Sequence, residues 1–200
     1  MFEIEKLDSF NNWRNGNFNR GHWPLSQSLE SYRVDWEETF MIGEVPQNDK
    51  WDTHSTSKKL ALENLYIKYN VHKQATRHYM NITSQLTGEV KELVDSNYGN
   101  CPHHSTWLKL PPGNNLMWHY DSYNAFVHFN KIPEEKYSQI KRIVVMMTDW
   151  SMGQTIQIGN EVVSHWKFGD TFSWQGDIWH GAGNFGLDDL VVFQVTYLED

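Results

Sequence analysis

The sequence predicts a mostly β domain of the sandwich or barrel class, with most of its helices ahead of its strands. Three observations predict this. Short runs of β-forming residues recur at regular spacing after Tyr98, turn residues separate these runs, and helical spacing of apolar residues is found mainly before Tyr98. A parallel βαβ sheet would need a helix between successive strands. The layout is therefore that of an N-terminal region with helices packed on a jelly roll.

Length and charge restrict the classes of protein that this chain can belong to. Two hundred residues suit a single domain, 1–200, that buries a core without disulfides, and the lone Cys101 fits a reducing cytoplasm. The net charge of −8 argues against a surface that binds duplex DNA or RNA. The acidic start lacks the features of a signal peptide, and no apolar run approaches the roughly 20 residues of a membrane span. We expect a soluble, cytoplasmic protein; the sequence does not indicate its oligomeric state.

The first half of the chain, 1–100, is predicted to be irregular and helical and to pack on the second half. Turn-forming Asn, Gly and Pro residues interrupt 1–50 without a sustained period, which predicts irregular structure and short strands there. Leucines at near-helical spacing predict a helix over 57–69. A second helix is predicted over 82–94, where apolar residues share one face and Gly99 follows the end.

The second half, 101–200, is predicted to form the jelly roll. The turns are predicted at Pro111-Pro112-Gly113, Gly159-Asn160 and Gly169-Asp170, and a glycine-rich turn over 176–183 precedes the last strand. The predicted strands are 105–110, 116–121, 125–130, 142–149, 155–158, 161–166, 171–174 and 190–198.

The motif that carries chemistry is His119-Tyr120-Asp121, at the end of a predicted strand. Residues i and i+2 of a strand point to the same face, so the imidazole and the carboxylate converge. His180, just ahead of the last strand, is the candidate third ligand. Two histidines and one carboxylate form the facial triad of non-haem Fe(II) oxygenases, which leaves coordination positions open. An open site is what activation of O₂ requires.

Three segments resemble the core of the 2-oxoglutarate and Fe(II)-dependent oxygenase superfamily, over about 105–197. Leu-Pro-Pro-Gly-Asn-Asn-Leu-Met-Trp-His-Tyr-Asp at 110–121 is similar to the strand that bears the first two ligands. Phe-Gly-Asp-Thr-Phe-Ser-Trp at 168–174, followed by Asp-Ile-Trp-His at 177–180, is similar to the approach to the distal histidine. Segment 142–154 further resembles a subgroup encoded by marine bacteria and their phages.

This resemblance implies a double-stranded β-helix, the cupin-like jelly roll, with Fe(II) held by His119, Asp121 and His180. It also implies 2-oxoglutarate and O₂ as cosubstrates, with 2-oxoglutarate converted to succinate and CO₂ while a C–H bond is hydroxylated. Halogenases of the superfamily replace the carboxylate ligand with a small residue, so Asp121 favours hydroxylation, or a desaturation or demethylation variant. A phage-encoded member would act in the host cytoplasm.

The sequence departs from the superfamily in one respect. Most members carry Arg or Lys on the last strand, where it binds the far carboxylate of 2-oxoglutarate, but here no cation follows Lys167. Other branches use a cation on the strand after the first ligand pair. Arg142 opens such a strand and is the predicted cosubstrate anchor, because Arg suits a bidentate carboxylate contact. Lys141 is the alternative, since neighbours on a strand face opposite ways, and a surface role for both charges also stays open.

The substrate is predicted only as a class, a small molecule or a peptide side chain. Two rival functions stay open: a cupin-like metal-binding domain without turnover, and a metal enzyme of the same fold that does not use 2-oxoglutarate. The N-terminal stretch is expected to cover the mouth of the barrel and to contact substrate. Among the other polar residues, His103 and His104 are expected in a loop, and His128 and His165 in strands. Asn184 is expected to orient the glycine-rich turn, with substrate binding as the alternative.

Overall fold

The computed structural model describes residues 18–32, 34–40, 77–81, 86–119, 121, 123–175 and 178–199. Within these ranges lie the helices α1 (Gly88–Tyr98) and α2 (Asn124–Asn130), and short 3₁₀ helices at Leu29–Ser31 and Glu134–Gln139. The strands within them are β1 Phe18–His22, β2 Glu37–Phe40, β3 Arg77–Asn81, β4 His103–Leu110, β5 Asn114–His119, β6 Ile140–Met146, β7 Gln154–Ile158, β8 Glu161–Val163, β9 Asp170–Gln175, β10 His180–Asn184 and β11 Leu190–Leu198.

The strands form two antiparallel sheets. The larger sheet has the order β1-β9-β6-β11-β4-β3-β2, and the smaller has the order β5-β10-β7-β8. From β4 onward the chain passes back and forth between the sheets, so that strands distant in sequence, such as β11 and β4, become neighbours. This strand order is that of a double-stranded β-helix, and the predicted fold class is confirmed.

The core between the two sheets follows from the period of two along each strand. On β11, Leu190 and Val192 point between the sheets, and their neighbours Val191 and Phe193 point to the outer face of the larger sheet. Both faces of this strand are buried, which explains its nearly continuous apolar sequence. The buried residues of the inner core are Leu108, Leu110, Val144, Met146, Ile156, Ile158, Val163, Trp166, Phe172, Trp174, Leu190 and Val192.

A layer of N-terminal residues covers the outer face of the larger sheet. Val90 and Val94 of α1 pack with Trp23 and Phe193 in one buried cluster. The Glu89 carboxylate accepts hydrogen bonds from the backbone N–H groups of Ser26 and Gln27, at 2.7 and 2.9 Å, and so ties the chain before the helix to its first turn. The described residues 23–32 and α1 therefore pack on the outer face of the larger sheet.

The helix α1 corresponds to the helix predicted over 82–94, but its bounds differ. It begins at Gly88, whose φ of +61° suits glycine, and it continues one turn beyond the predicted end, so that Tyr98 is also buried. Gly99 follows its end as expected. The helix predicted over 57–69 lies outside the described residues, and so does 82–85 of the predicted second helix.

The prediction that the N-terminal stretch covers the barrel mouth remains a prediction. Among the described N-terminal residues, β1 extends the larger sheet beside β9, where Phe18 contacts Phe172 with ring centres 6.0 Å apart. The segment 23–32 lies against the outer face of that sheet. Residues 1–17 and 41–76 lie outside the described residues.

The predicted strand over 125–130 is wrong, because this segment forms α2. Tyr123 and Lys131, both with left-handed backbone angles, flank the helix, and Phe126 packs against Ile140 and Leu198. A short apolar run does not distinguish helix from strand by its period alone. The packing of Phe126 on the larger sheet, at Ile140 and Leu198, favours the helix over a strand.

The turn predicted over the glycine-rich segment 176–183 is also wrong in part, since the second half of that segment is a strand. β10 begins at His180 and pairs with β5 on one side and β7 on the other. Glycine has low β propensity, which conceals the strand in the sequence. The turn lies after it, over 185–189, and Asn184 hydrogen-bonds within that turn and not within the glycine-rich segment that it was expected to orient.

We expect Asn184→Ala to destabilise the fold by about 2 to 3 kcal/mol, because each buried polar group left without a partner costs about 1 to 3 kcal/mol. The fully buried Asn184 amide donates to the backbone oxygens of Leu110 and Asp188, at 2.7 and 2.8 Å. Urea unfolding measures the loss. Asn130→Ala, at an exposed position, is the control and should change stability by about 0.5 kcal/mol or less. An equal effect of the two substitutions would contradict this role.

Candidate metal centre

The three predicted ligands come together at one end of the space between the sheets. His119 ends β5, His180 begins β10, and the two residues are direct partners in the strand pairing, with ring centres 4.3 Å apart. Asp121 follows β5, and its carboxylate oxygens lie 3.8 Å from His119 Nε2 and 3.6 Å from His180 Nε2. One ligand atom from each residue falls within 4.8 Å of the others. These distances allow a single metal ion to contact all three side chains.

Two local features set the register of β10 against β5, which makes His180 the partner of His119. Gly181 lies so close to β5 that an added Cβ would stand 2.9 Å from the Leu116 carbonyl oxygen, so a glycine here lets β10 approach. The pairing is shifted between His180 and Ala182, as in a β-bulge, and bulges often re-aim side chains beside active sites. Trp118 and Trp179, each next to a ligand, stack at 6.5 Å and support the pairing.

The environment of His180 favours a neutral imidazole that binds a metal through Nε2. Its Nδ1 lies 2.9 Å from the Ile178 carbonyl oxygen, which accepts a hydrogen bond only if Nδ1 carries the proton. Burial lowers the pKa of His180, and the nearby Asp121 carboxylate opposes this effect. A metal-binding histidine must be neutral, and its second nitrogen usually donates to a carbonyl or carboxylate. His180 therefore meets the requirements of a ligand.

Arg142 and Lys141 separate to opposite sides of β6. Arg142 points between the sheets, where its Nη1 lies 3.3 Å from the Asp121 carboxylate and also donates to the Gln194 side-chain oxygen. Lys141 pairs instead with Glu199 at the surface. Of the two candidate cations, the structure brings only Arg142 to the ligands.

A cavity of about 190 Å³ begins at the ligands and continues between the sheets. His119, Asp121, His180, Arg142 and Gln194 supply its polar wall. The rest of its lining is mainly apolar and comes from both sheets: Leu108, Leu116, Val144, Ile156, Ile158, Phe172, Trp174, Gly181, Ala182, Leu190 and Val192. Its volume equals that of about six water molecules in the liquid, which suits a small organic ligand.

Three residues at this site were not predicted from the sequence. Gln194 is a buried polar residue of β11 that accepts the Arg142 hydrogen bond. Trp174 lies 4.9 Å from the His180 ring, and Tyr123 packs on the Arg142 guanidinium, 5.3 Å from the ring centre. Burial and the Asp121 charge raise the pKa of Tyr123, so its hydroxyl stays protonated. Gln194 is a polar residue within the apolar run of the last strand, and this is the sequence signal that could have identified it.

The four other histidines considered in the sequence lie outside the ligand group, in places that differ from those predicted. His103 and His104 begin β4 and pair with Tyr197 and Thr196, so they do not form a loop. His128 lies on α2 and His165 follows β8 in a left-handed conformation, so neither lies in a strand. Among the described residues, one group of three metal-binding side chains occurs, His119, Asp121 and His180.

Comparisons with known proteins give structural similarity alone. No family model matches the sequence, and no curated protein matches it. A predicted oxalate decarboxylase from Thermotoga maritima is similar with a TM-score of 0.38 and 18% identity, over 62% of this chain and 82% of the other. KdgF from Halomonas sp. has a TM-score of 0.37 and 11% identity over the same shares. A cupin domain from Bordetella pertussis Tohama I has a TM-score of 0.33 and 17% identity, over 49% and 82%.

These TM-scores lie below 0.5 and carry no information on activity. The strand order of the two sheets itself defines the fold. No helix in the described part of the chain is long and apolar enough to cross a membrane. The chain is thus a cupin-type double-stranded β-helix in which His119, Asp121 and His180 are placed to hold a metal ion.

Proposed function

We propose that this protein is an Fe(II)- and 2-oxoglutarate-dependent oxygenase that hydroxylates a C–H bond of a small molecule or a peptide side chain. The observation that carries the proposal is the combination of a His/Asp/His group and a largely buried guanidinium at one end of a mainly apolar cavity. Two imidazoles and one carboxylate with open positions suit non-haem Fe(II). When bound, the iron, 2-oxoglutarate and O₂ supply the oxidising chemistry, and 2-oxoglutarate leaves as succinate and CO₂.

The chain's own residues provide placement and exclusion of water. His119, Asp121 and His180 would hold the metal on one side and leave the cavity side open. The apolar walls keep water away from the reacting groups, which strengthens electrostatic contacts there. Arg142 is the cation that we assign to the far carboxylate of 2-oxoglutarate, because a carboxylate is costly to bury without a charged partner.

A second candidate is a metal enzyme on the same scaffold that does not use 2-oxoglutarate. Two observations favour it. Arg142 Nη1 already contacts Asp121 and Gln194. In addition, the cavity side of the last strand carries Leu190 and Val192, where most members of the superfamily have a cation. A cupin-like metal-binding domain without turnover would share the metal site and differ only in activity.

Succinate release separates these functions. We expect the full-length protein with Fe(II) and 2-oxoglutarate under air to form succinate slowly without added substrate, and His180→Ala to form none. Succinate measured by liquid chromatography, with the iron content of each sample, gives the result. If iron binds at one ion per chain and no succinate forms, the proposed function fails. Binding of metal with turnover of another substrate would instead support the second candidate.

A further inference from the structure

A row of polar side chains runs across the inner face of the larger sheet. On β11, Thr196 is the direct strand partner of Arg142 on β6 and of His104 on β4. Leu108 of β4 belongs to the inner core, and the period of two along the strand places Thr106 and His104 on the same face. The polar wall of the cavity therefore continues from Arg142 to the start of β4.

His104 lies at the same end of the barrel as the ligand group. The chain runs along β4, reverses at the turn 111–113, and returns along β5, whose last residue is the ligand His119. β5 also lies against β4. The start of β4 and the end of β5 are therefore at one end of the barrel. The charge of Arg142 contributes to the lowered pKa of His104, which agrees with this placement.

Within the described residues, this end of the barrel is covered over β6 and β11 and open over β4. The helix α2 packs on the ends of β6 and β11 through Phe126, which contacts Ile140 and Leu198. His104 is exposed, whereas Thr106, next to it on the same face, is buried. A ligand that enters over β4 therefore passes His104 before it reaches the metal ligands.

The imidazole of His104 and the hydroxyl of Thr106 form a hydrogen-bonding pair, with Nε2 3.3 Å from Oγ1. Neighbouring protein atoms desolvate the ring in part and lower the pKa of His104, and Arg142 and His103 act in the same direction, so the ring is neutral near pH 7. A neutral imidazole has one donor and one acceptor nitrogen, and a hydroxyl both donates and accepts. The pair therefore suits an uncharged group that also does both.

We propose that His104 and Thr106 form a recognition pair that binds an uncharged amide or hydroxyl group of the substrate at the mouth of the cavity. Arg142 on the same inner face disfavours a charged group at this position. Its guanidinium repels a cation, and it would draw a carboxylate past the pair. The recognition pair rests on its own geometry, and only the oxidation of the molecule that it binds rests on the proposed function.

The test uses the full-length protein loaded with diamagnetic Zn(II), and three probes: hexanamide, hexanoate and hexylammonium. The probes share one apolar chain and differ only in the head group. Isothermal titration calorimetry gives each dissociation constant for the unchanged protein and for His104→Leu, and nuclear magnetic resonance of ¹⁵N-labelled histidine side chains locates the contact. His103→Leu is the matched control, since His103 precedes His104 on β4 and pairs with Tyr197 on the outer face. Metal content and circular dichroism verify the site and the fold.

We expect hexanamide to bind most tightly of the three probes and to shift the His104 resonance. His104→Leu should weaken hexanamide binding about five- to tenfold, which is typical of the loss of one hydrogen bond between uncharged groups, and His103→Leu should not. Tighter binding of hexanoate or hexylammonium would overturn the class of group. No measurable binding of hexanamide, or equal binding by the two variants, would overturn the recognition pair. If hexanamide binds as expected but 2-oxoglutarate yields no succinate, the pair holds and the proposed function fails.

Discussion

Replacing His180 with alanine is expected to remove the metal and the turnover together while the barrel stays folded. His180 supplies one of three ligand groups, and its Nε2 faces Asp121 while Nδ1 is held by the Ile178 carbonyl oxygen. Alanine keeps the β10 backbone, so the pairing with β5 and β7 should persist. Loss of a direct ligand should exceed the tenfold to roughly hundredfold loss of affinity that follows removal of a supporting group around a metal.

Two measurements check this expectation. Elemental analysis after dialysis should find about one iron per chain in the unchanged protein and almost none in His180→Ala. Added Fe(II) should raise the midpoint temperature of thermal unfolding only in the unchanged protein. A ligand at about a hundred times its dissociation constant stabilises the folded state by about 2.7 kcal/mol. His119→Ala should behave in the same way. The exposed His128 provides a histidine control, and full iron occupancy in both ligand variants would contradict the site.

The fold was predictable from the sequence because local patterns specify most of its strands. In β4, β6, β7, β9 and β11, β-forming residues are bounded by turn residues, and the turn at Gly159-Asn160 separates β7 from β8 as expected. The ligand group was predictable for a related reason. Two ligands lie two residues apart at a strand end, so their convergence follows from local geometry.

The parts that could not be predicted depend on contacts between distant segments. The sequence of α2 is compatible with helix or strand, and its packing on Ile140 and Leu198 favours the helix. β10 contains glycines that disfavour strands, and it is stabilised by neighbours on both sides. The contact between Arg142 and Trp174 arises from the register of β6 against β9, which no local pattern specifies.

Replacing Arg142 with alanine is expected to weaken 2-oxoglutarate binding strongly. Its guanidinium is largely buried and lies 3.3 Å from the Asp121 carboxylate, at the polar end of a cavity whose remaining wall is mainly apolar. Loss of one partner of a buried charge pair costs about 2 to 5 kcal/mol, and we expect the dissociation constant for 2-oxoglutarate to rise accordingly. Lysine should be a poor replacement, because one ammonium cannot reproduce a two-point contact.

Lys141→Ala is the matched control, because Lys141 precedes Arg142 on β6 and pairs with Glu199 away from the cavity. Titration of 2-oxoglutarate into the Fe(II) protein without oxygen compares both variants with the unchanged protein. Iron should remain bound in Arg142→Ala, since the guanidinium contacts Asp121 and is not itself a ligand. Loss of 2-oxoglutarate binding in Lys141→Ala alone would show that Lys141, and not Arg142, binds the far carboxylate of 2-oxoglutarate. If neither substitution changes binding, the site does not anchor 2-oxoglutarate through β6, and the metal enzyme that works without this cosubstrate becomes the better account of the cavity.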